Sequence, residues 1–342
     1  MLQAQKVFSS LFDGLAPRQR DILVNRFGLQ NGEPETLAAL GKRYGITRER
    51  VRQIEASAID LLKKRIKVNN ACIELIHSSV KYLRSMGGVV GQEDLLAYHR
   101  SFIEGLTANH VAFLVEATGA FCIYPADKNF LAFYYTDKQS LKKTMDWIAQ
   151  FTKSLKAKKR EILNGAYQAH LVNFVREKRM EQKLAESLLG ISKKIMASPY
   201  GDVGLAEWPE ISPRTVRDRI YLILKKKGEP IHFENIARDI NEAGFGGRKA
   251  LGPTVHNELI KDARFVLVGR GIYGLAEQGY EPGTAKEVIH KILKKNGPLA
   301  FKDLVKEVQK DRFFKQNTIL ANLQNKGLFE RLTTGVYRVR EA

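Results

Sequence analysis

The sequence predicts a mainly α-helical chain: an N-terminal helix-turn-helix, then tandem domains of three helices closed by a β-hairpin, joined by a helical connector. Three observations lead there. The run Gly45-Ile-Thr-Arg-Glu-Arg-Val-Arg-Gln-Ile-Glu55 combines a turn residue, a helix cap and apolar spacing suited to two packed helices. One order of elements recurs at a shift of 69 residues near the C-terminus. Between these, Lys138 to Leu189 keeps helical apolar spacing with many basic residues.

In the N-terminal segment, Thr36 is a candidate N-cap for a helix from Leu37 to about Tyr44, with Leu37, Leu40 and Tyr44 on one face. Gly45 supplies the tight turn, where a positive φ is expected, and Thr47 caps a second helix. A capping box is absent, because the third helical position is Arg50 instead of Glu or Gln. Val51, Ile54, Ala58 and Leu61 form the expected buried stripe, which leaves Arg48, Glu49, Arg52 and Gln53 outward at the helix start. These residue types match the major groove: Arg donates twice to guanine, Gln pairs with the adenine edge and Glu accepts from the cytosine amino group. Charged clusters taken alone more often mark a solvated helix face. Here the glycine, the cap and the apolar spacing point the same way.

The segment Leu15-Ala-Pro-Arg-Gln-Arg-Asp-Ile-Leu-Val-Asn-Arg-Phe-Gly-Leu29, Thr36-Leu37 with Leu40-Gly41-Lys42, and Thr47 to Glu55 resemble region 4 of bacterial primary sigma factors, over Leu15 to about Ile66. In that family the module binds the −35 promoter element and touches the flap of the polymerase β subunit. The resemblance implies base contacts by Arg48, Glu49, Arg52 and Gln53, and phosphate contacts by Arg18, Arg26, Thr36, Leu37 and Thr47. For Thr36 and Leu37 there is also a direct reason, since unpaired N–H groups at a helix start favour a phosphate. A primary sigma factor carries this module C-terminally, behind domains that grip core polymerase and melt the promoter. Here it is N-terminal, and no aromatic-rich melting helix follows, so a complete sigma factor is not expected.

Composition agrees with a polyanionic partner. Lys and Arg number 56 against 37 Asp and Glu, a net charge of +19, and counterion release on phosphate contact would supply much of the affinity. An acidic membrane surface is the competing polyanion. No stretch reaches the apolar length of a spanning helix and no signal peptide is recognisable, so a soluble, cytoplasmic, nucleoid-associated protein is expected. Cys72 and Cys122 stand far apart without histidines at ligand spacing and read as buried thiols.

The C-terminal repeats begin with Ile220 to Gly228 and Ile289 to Gly297, each followed by a Pro, a Phe and a second amphipathic helix. Phe265 to Leu275 and Leu328 to Val339 then alternate through Gly turns as hairpins. Three helices plus a terminal hairpin is the winged-helix layout. A fainter copy begins at Val80 to Gly88, continues through Gln92 to Tyr98 and Ala108 to Ala117, and ends in a hairpin around Pro125 to Asn129. The expected domains are 1–70, 71–136, 137–212 as connector, 213–278 and 284–342. Residues 214–276 resemble the HARE-type winged helix, also found in the polymerase δ subunit. The likeness is carried by Pro230-Ile-His-Phe-Glu-Asn-Ile-Ala237, Val255-His-Asn-Glu-Leu259 and Gly269-Arg-Gly-Ile-Tyr-Gly-Leu275. It implies an adaptor tied to nucleic acid or polymerase, with protein contact alone as the other reading. Arg248, Lys249, Arg264 and Arg270 are candidate phosphate contacts.

In the connector, Leu141, Met145, Ile148 and Phe151 keep helical spacing, and Lys153 to Arg160 holds five Lys or Arg, a pattern of nucleic-acid patches and of ordinary exposed helices alike. Gly201 to Trp208 reads as an irregular linker, and Ser212-Pro213 as the start of the next domain's first helix. No Walker loop, His-Glu-x-x-His, Gly-x-Ser-x-Gly or nuclease-like acidic cluster occurs. Gly244-Phe-Gly-Gly247 reads as a loop between two helices. His110, His170, His232, His256 and His290 are dispersed and read as packing or surface residues. Hence no catalytic residue, cofactor or metal is expected. The predicted partners are double-stranded DNA and core RNA polymerase through its β flap. The function expected is promoter-element reading by a transcription factor or polymerase accessory protein; the alternatives are an architectural DNA-binding protein without sequence choice and a polymerase-bound adaptor.

Overall fold

The computed structural model describes residues 2–30, 32–333 and 335–340. The chain forms two compact units: residues up to Met196 with Val203–Leu205, and Ala197–Asp202 with the residues from Ala206 on.

In the first unit, β1 (Leu2–Gln3) and α1 (Ala4–Leu11) precede three helices, α2 (Pro17–Phe27), α3 (Leu37–Tyr44) and α4 (Arg48–Ile66). Proline at the first position of α2 and the αL residue Gly28 after it mark that helix's ends. There follow α5 (Asn70–Ser85), β2 (Val89–Gly91), α6 (Gln92–His99), β3 (Ile103–Glu104), α7 (Ala108–Thr118), β4 (Cys122–Tyr124) and β5 (Phe133–Tyr135). The connector comprises α8 (Lys138–Ala157), the short turn α9 (Lys159–Glu161), a kink at Gly165, α10 (Tyr167–Glu177), α11 (Gln182–Gly190) and two short strands, β6 (Ile195–Ala197) and β7 (Val203–Leu205).

The second unit contains α12 (Val216–Lys227), β8 (Ile231–His232), α13 (Phe233–Glu242), α14 (Gly252–Lys261), β9 (Phe265–Gly269) and β10 (Ile272–Leu275). The order then repeats as α15 (Ala285–Asn296), β11 (Leu299–Ala300), α16 (Phe301–Asp311), α17 (Gln316–Leu323), β12 (Phe329–Thr333) and β13 (Val336–Val339). Each copy has its own core, around Ile220, Ile236 and Val255 in one and Ile289, Leu304 and Ile319 in the other.

Three times, then, a helix, a short strand, two helices and two strands follow one another, with β3 inserted between the two later helices of the first copy, and the three sheets of these copies are antiparallel with the same order: β2-β5-β4, β8-β10-β9 and β11-β13-β12. The copy at α5 to β5 does not own its core alone. Its α7 turns Phe113, Leu114 and Ala117 into a cluster with Phe8, Leu23 and Leu62 of the preceding helices, while Val111 and Val115 face Leu83, Val90 and Tyr134. Neighbours three and four apart on one helix thus serve two cores, which ties residues 2–66 to the sheet that follows.

Four expectations need correction. Leu61 is 48% exposed, and Leu62, fully buried, takes its place; α4 is long enough that its second half turns a different edge to the core than its first. Gly201 to Trp208 is not wholly irregular, since it contains β7, and Trp208 is buried. The helix after it starts at Val216, because Thr215 and Asp218 close a reciprocal capping box there, which Ser212-Pro213 does not. Cys72 is buried but Cys122 is half-buried. No helix among the described residues is long and apolar enough to cross a membrane.

Candidate nucleic-acid interface

Helices α2, α3 and α4 meet on Ile22, Leu40 and Val51, each inaccessible to solvent, with Leu37, Tyr44, Ile46 and Ile54 around them. Two glycines make the corner between α3 and α4. Gly45 is in the left-handed region (φ 62°) and ends α3, its N–H bonding to Gly41 O and Lys42 O. Gly41 lies inside α3, where a Cβ would stand 2.8 Å from Ile46 O and 3.3 Å from Arg48 N. The turn therefore rests directly on the helix backbone. Thr36 Oγ1 accepts the N–H of Ala39 and Thr47 Oγ1 that of Arg50, each at 3.1 Å, so both helices are capped by the threonines expected to do so.

Within the first two turns of α4, Val51 is buried and Ile54 half-buried. Arg48, Glu49, Arg52 and Gln53 are all exposed, so the structure brings the four candidate base readers together on one open helix end. They are ordered by one another. Arg52 Nη2 and Nε donate to the Glu49 carboxylate at 2.7 and 2.9 Å, and this bonding holds the Glu49 carboxyl below its usual range. Arg50, which the sequence reading left out, donates to Gln53 Oε1 at 3.1 Å. The Arg48 side chain has no hydrogen-bond partner among the described residues. The surface offers donors and acceptors side by side, the pattern needed at base edges.

The candidate phosphate contacts fall into two groups. Thr36 and Thr47 are exposed at helix starts, where the first N–H groups have no intrahelical acceptor. Leu37 packs its side chain against Ile22, Leu40 and Val51 and so presents its backbone. Arg18 is exposed; its Nη2 donates to Tyr44 O at 3.3 Å, and its guanidinium lies 5.6 Å from the Tyr44 ring centroid. Arg26 is turned inward. Its Nε lies 3.2 Å from Glu55 Oε1 and its Nη1 donates to Glu35 O at 3.1 Å. Burial raises the Glu55 pKa against the opposing pull of Arg26. This clamp between α2, α4 and the strap before α3 links residues 29 apart in sequence, and no spacing rule signals it. For Gly41 a signal existed, because a glycine inside a helical pattern marks a packing reason.

In the second unit, Arg248 and Lys249 are exposed in the loop between α13 and α14, and Arg270 is exposed at the β9–β10 turn. Arg264 differs from them. It is bonded to both oxygens of Asp262, the shortest contact 2.7 Å, and packs against the rings of Tyr221 and Phe265 at 5.3 and 5.5 Å. The Arg264 guanidinium in turn holds the Asp262 carboxyl below its usual range.

The family-model comparison falls on the helix-turn-helix of the first unit. The family model "Sigma-70, region 4" matches residues 11–64. RNA polymerase sigma factor SigA of Nostoc sp. (strain PCC 7120 / SAG 25.82 / UTEX 2576) is 47% identical over 53 residues, 16% of this chain and 14% of that protein. SigA of Microcystis aeruginosa is 46% identical over 54 residues, 16% of this chain and 13% of its own length. RNA polymerase sigma-C factor of the same Nostoc strain is 42% identical over 60 residues, 18% of this chain and 14% of that factor. The similarity thus spans about one seventh of the length of these relatives.

Proposed function

We propose that the chain is a DNA-binding transcription protein that reads a −35-type promoter element with the start of α4. Arg48, Glu49, Arg52 and Gln53 act at base edges, and Thr36, Leu37, Thr47 and Arg18 hold the flanking phosphates, while Arg26 keeps α2 and α4 in register. One observation carries the reading: a capped helix with an open, mutually hydrogen-bonded polar end lies inside the segment matching a sigma region 4. The three repeated units, 70–135, 216–275 and 285–339, read as winged helices, the second of HARE type, that add contacts to DNA or polymerase. Duplex binding tests the proposal. With Arg48→Ala and Gln53→Ala, each substitution should cost about 1 to 3 kcal/mol on a −35-type duplex and less on random sequence. Equal losses on both duplexes favour the architectural alternative.

A specific observation favours a protein contact for the HARE-like unit. Leu251, just before α14, and Ile260, near its end, are each 64% exposed, whereas Arg217 and Arg264 are tied to Glu258 and Asp262. In this second reading the unit docks on core polymerase. Leu251→Glu with Ile260→Glu in the full chain should abolish capture of core polymerase and leave duplex affinity unchanged; undiminished capture removes this role.

A further inference from the structure

A large share of the net positive charge lies away from α4. Between residues 137 and 196, 14 Lys and Arg stand against 6 Asp and Glu, so 8 of the 19 net charges fall on this connector. On α8 they are sorted by face. Thr144, Trp147, Ile148, Phe151 and Leu155 are buried, and at 100° per residue the opposite side carries Lys138, Lys142, Lys153 and Lys156 within a strip about 60° wide. All four are exposed.

Two further features describe this strip. Some exposed lysines of other helices have an acid one turn away, as Lys63 has Asp60, Lys306 has Asp303 and Lys310 has Glu307. Among the described residues Lys138, Lys142 and Lys153 have no ion-pair partner. Asp146 stands at the margin of the strip, and the Asp137 carboxylate is occupied as the cap, accepting from Ser140 N at 2.9 Å. Further, Lys138, Lys142 and Lys143 crowd the N-terminal end of α8, whose first turn holds no acid. The helix dipole disfavours a cation in the first turn, so helix stability does not account for Lys138.

The strip has a spacing. Lys138 with Lys142 and Lys153 with Lys156 form two pairs whose centres, at about 1.5 Å per residue, lie about 22 Å apart, with the small Ala149 between them on the same side. A major groove about 12 Å wide, bordered by two phosphate backbones, fits between two such pairs reached by flexible lysine stems. Lysines are point charges suited to phosphate, and the strip carries no Arg, Asn or Gln for base edges.

We infer that the outer face of α8 is a second DNA-binding surface, which grips the phosphates of duplex DNA on either side of a groove without reading bases. It goes beyond the α4 reading and stands independently of it. The test is duplex affinity of the full chain over a salt series, on random and −35-type sequences, with Lys138, Lys142, Lys153 and Lys156 changed to Gln, to Arg, or to Gln in pairs. Each lost phosphate contact makes the log–log salt slope shallower by about 0.9. The fourfold Gln variant should lose about 3 to 4 in slope and bind both duplexes more than tenfold more weakly, with their affinity ratio intact. Each pair variant should lose about half of that, and the Arg variant should keep the wild-type slope. An unchanged slope in Gln variants that retain wild-type circular dichroism overturns the inference; so does loss of binding to anionic phosphatidylserine vesicles with duplex affinity unaltered. Should the α4 reading be wrong, the wild type shows no sequence preference yet the slope change on α8 persists, so the two failures are distinguishable.

Discussion

Arg26 and Glu55 form an ion pair at 3.2 Å that joins α2 to the middle of α4, with Glu55 the more buried partner. Arg26→Ala strands that carboxylate and should destabilise the helix-turn-helix by about 1 to 3 kcal/mol. Hydrogen exchange of the α2 and α4 amides measures it. The double change with Glu55→Ala should cost less than the two single losses added together. A clamp leaves the salt slope of duplex binding unchanged, whereas a phosphate contact reduces it by about 0.9.

The two corner glycines should respond differently to alanine. At Gly45 the surroundings are open, so Gly45→Ala meets a positive φ alone and should cost about 1 kcal/mol. At Gly41 the new Cβ meets the Ile46 carbonyl, and α4 must shift to admit it. Gly41→Ala should cost about 1 to 3 kcal/mol and weaken sequence-specific duplex binding more than Gly45→Ala does. Local exchange rates and binding isotherms of the two variants make the comparison.

His99 confers a pH dependence on the first unit. It is buried against Ser79, whose hydroxyl donates to Leu75 O at 2.6 Å and therefore accepts from His99 Nε2 at 2.9 Å. Burial lowers its pKa from 6.5 to about 4. A base with a depressed folded pKa gives up its proton on folding, so its stabilisation is complete above about pH 6.5 and is lost as the pH falls toward 4. The full difference is about 3 kcal/mol. His99→Gln retains a donor toward Ser79 and should flatten this decline, as read from exchange protection of α5 and α6 between pH 7 and 4.

Arg264 should behave as a structural residue and its three basic neighbours as surface ones. Removing its bidentate bond to Asp262 and its contacts with Tyr221 and Phe265 should lower the melting temperature of the second unit. Arg248→Ala, Lys249→Ala and Arg270→Ala should leave melting unchanged. Any duplex contact made by the β9–β10 turn would then appear as a reduced salt slope in the latter set.

Legibility followed the range of the interaction. Thr36, Gly45 and Thr47 were readable because a cap or a left-handed turn engages groups within four residues, and the structure has each in that role. The repeated order of three helices and a hairpin was readable for the same reason, through apolar period and turn chemistry, whereas the short strands β2, β8 and β11 were not, because each is made by pairing with a hairpin strand distant in sequence. The start of α12 was placed too early at Ser212-Pro213, because the cap is Thr215, three residues on, where the Asp218 carboxylate closes the capping box.

The sequence by itself determined the helix-turn-helix, its open polar end, the order of helices and hairpin strands in the repeats and the concentration of charge on the connector. The tertiary structure decided what distant residues do to one another. It buried Leu62 and not Leu61, turned Arg26 from solvent to Glu55, bound Arg264 to Asp262 and made α7 serve two cores at once. The physical reason is that local hydrogen bonds and dihedral preferences are set by neighbours along the chain, whereas burial and ion pairing depend on which surfaces meet after the chain has folded.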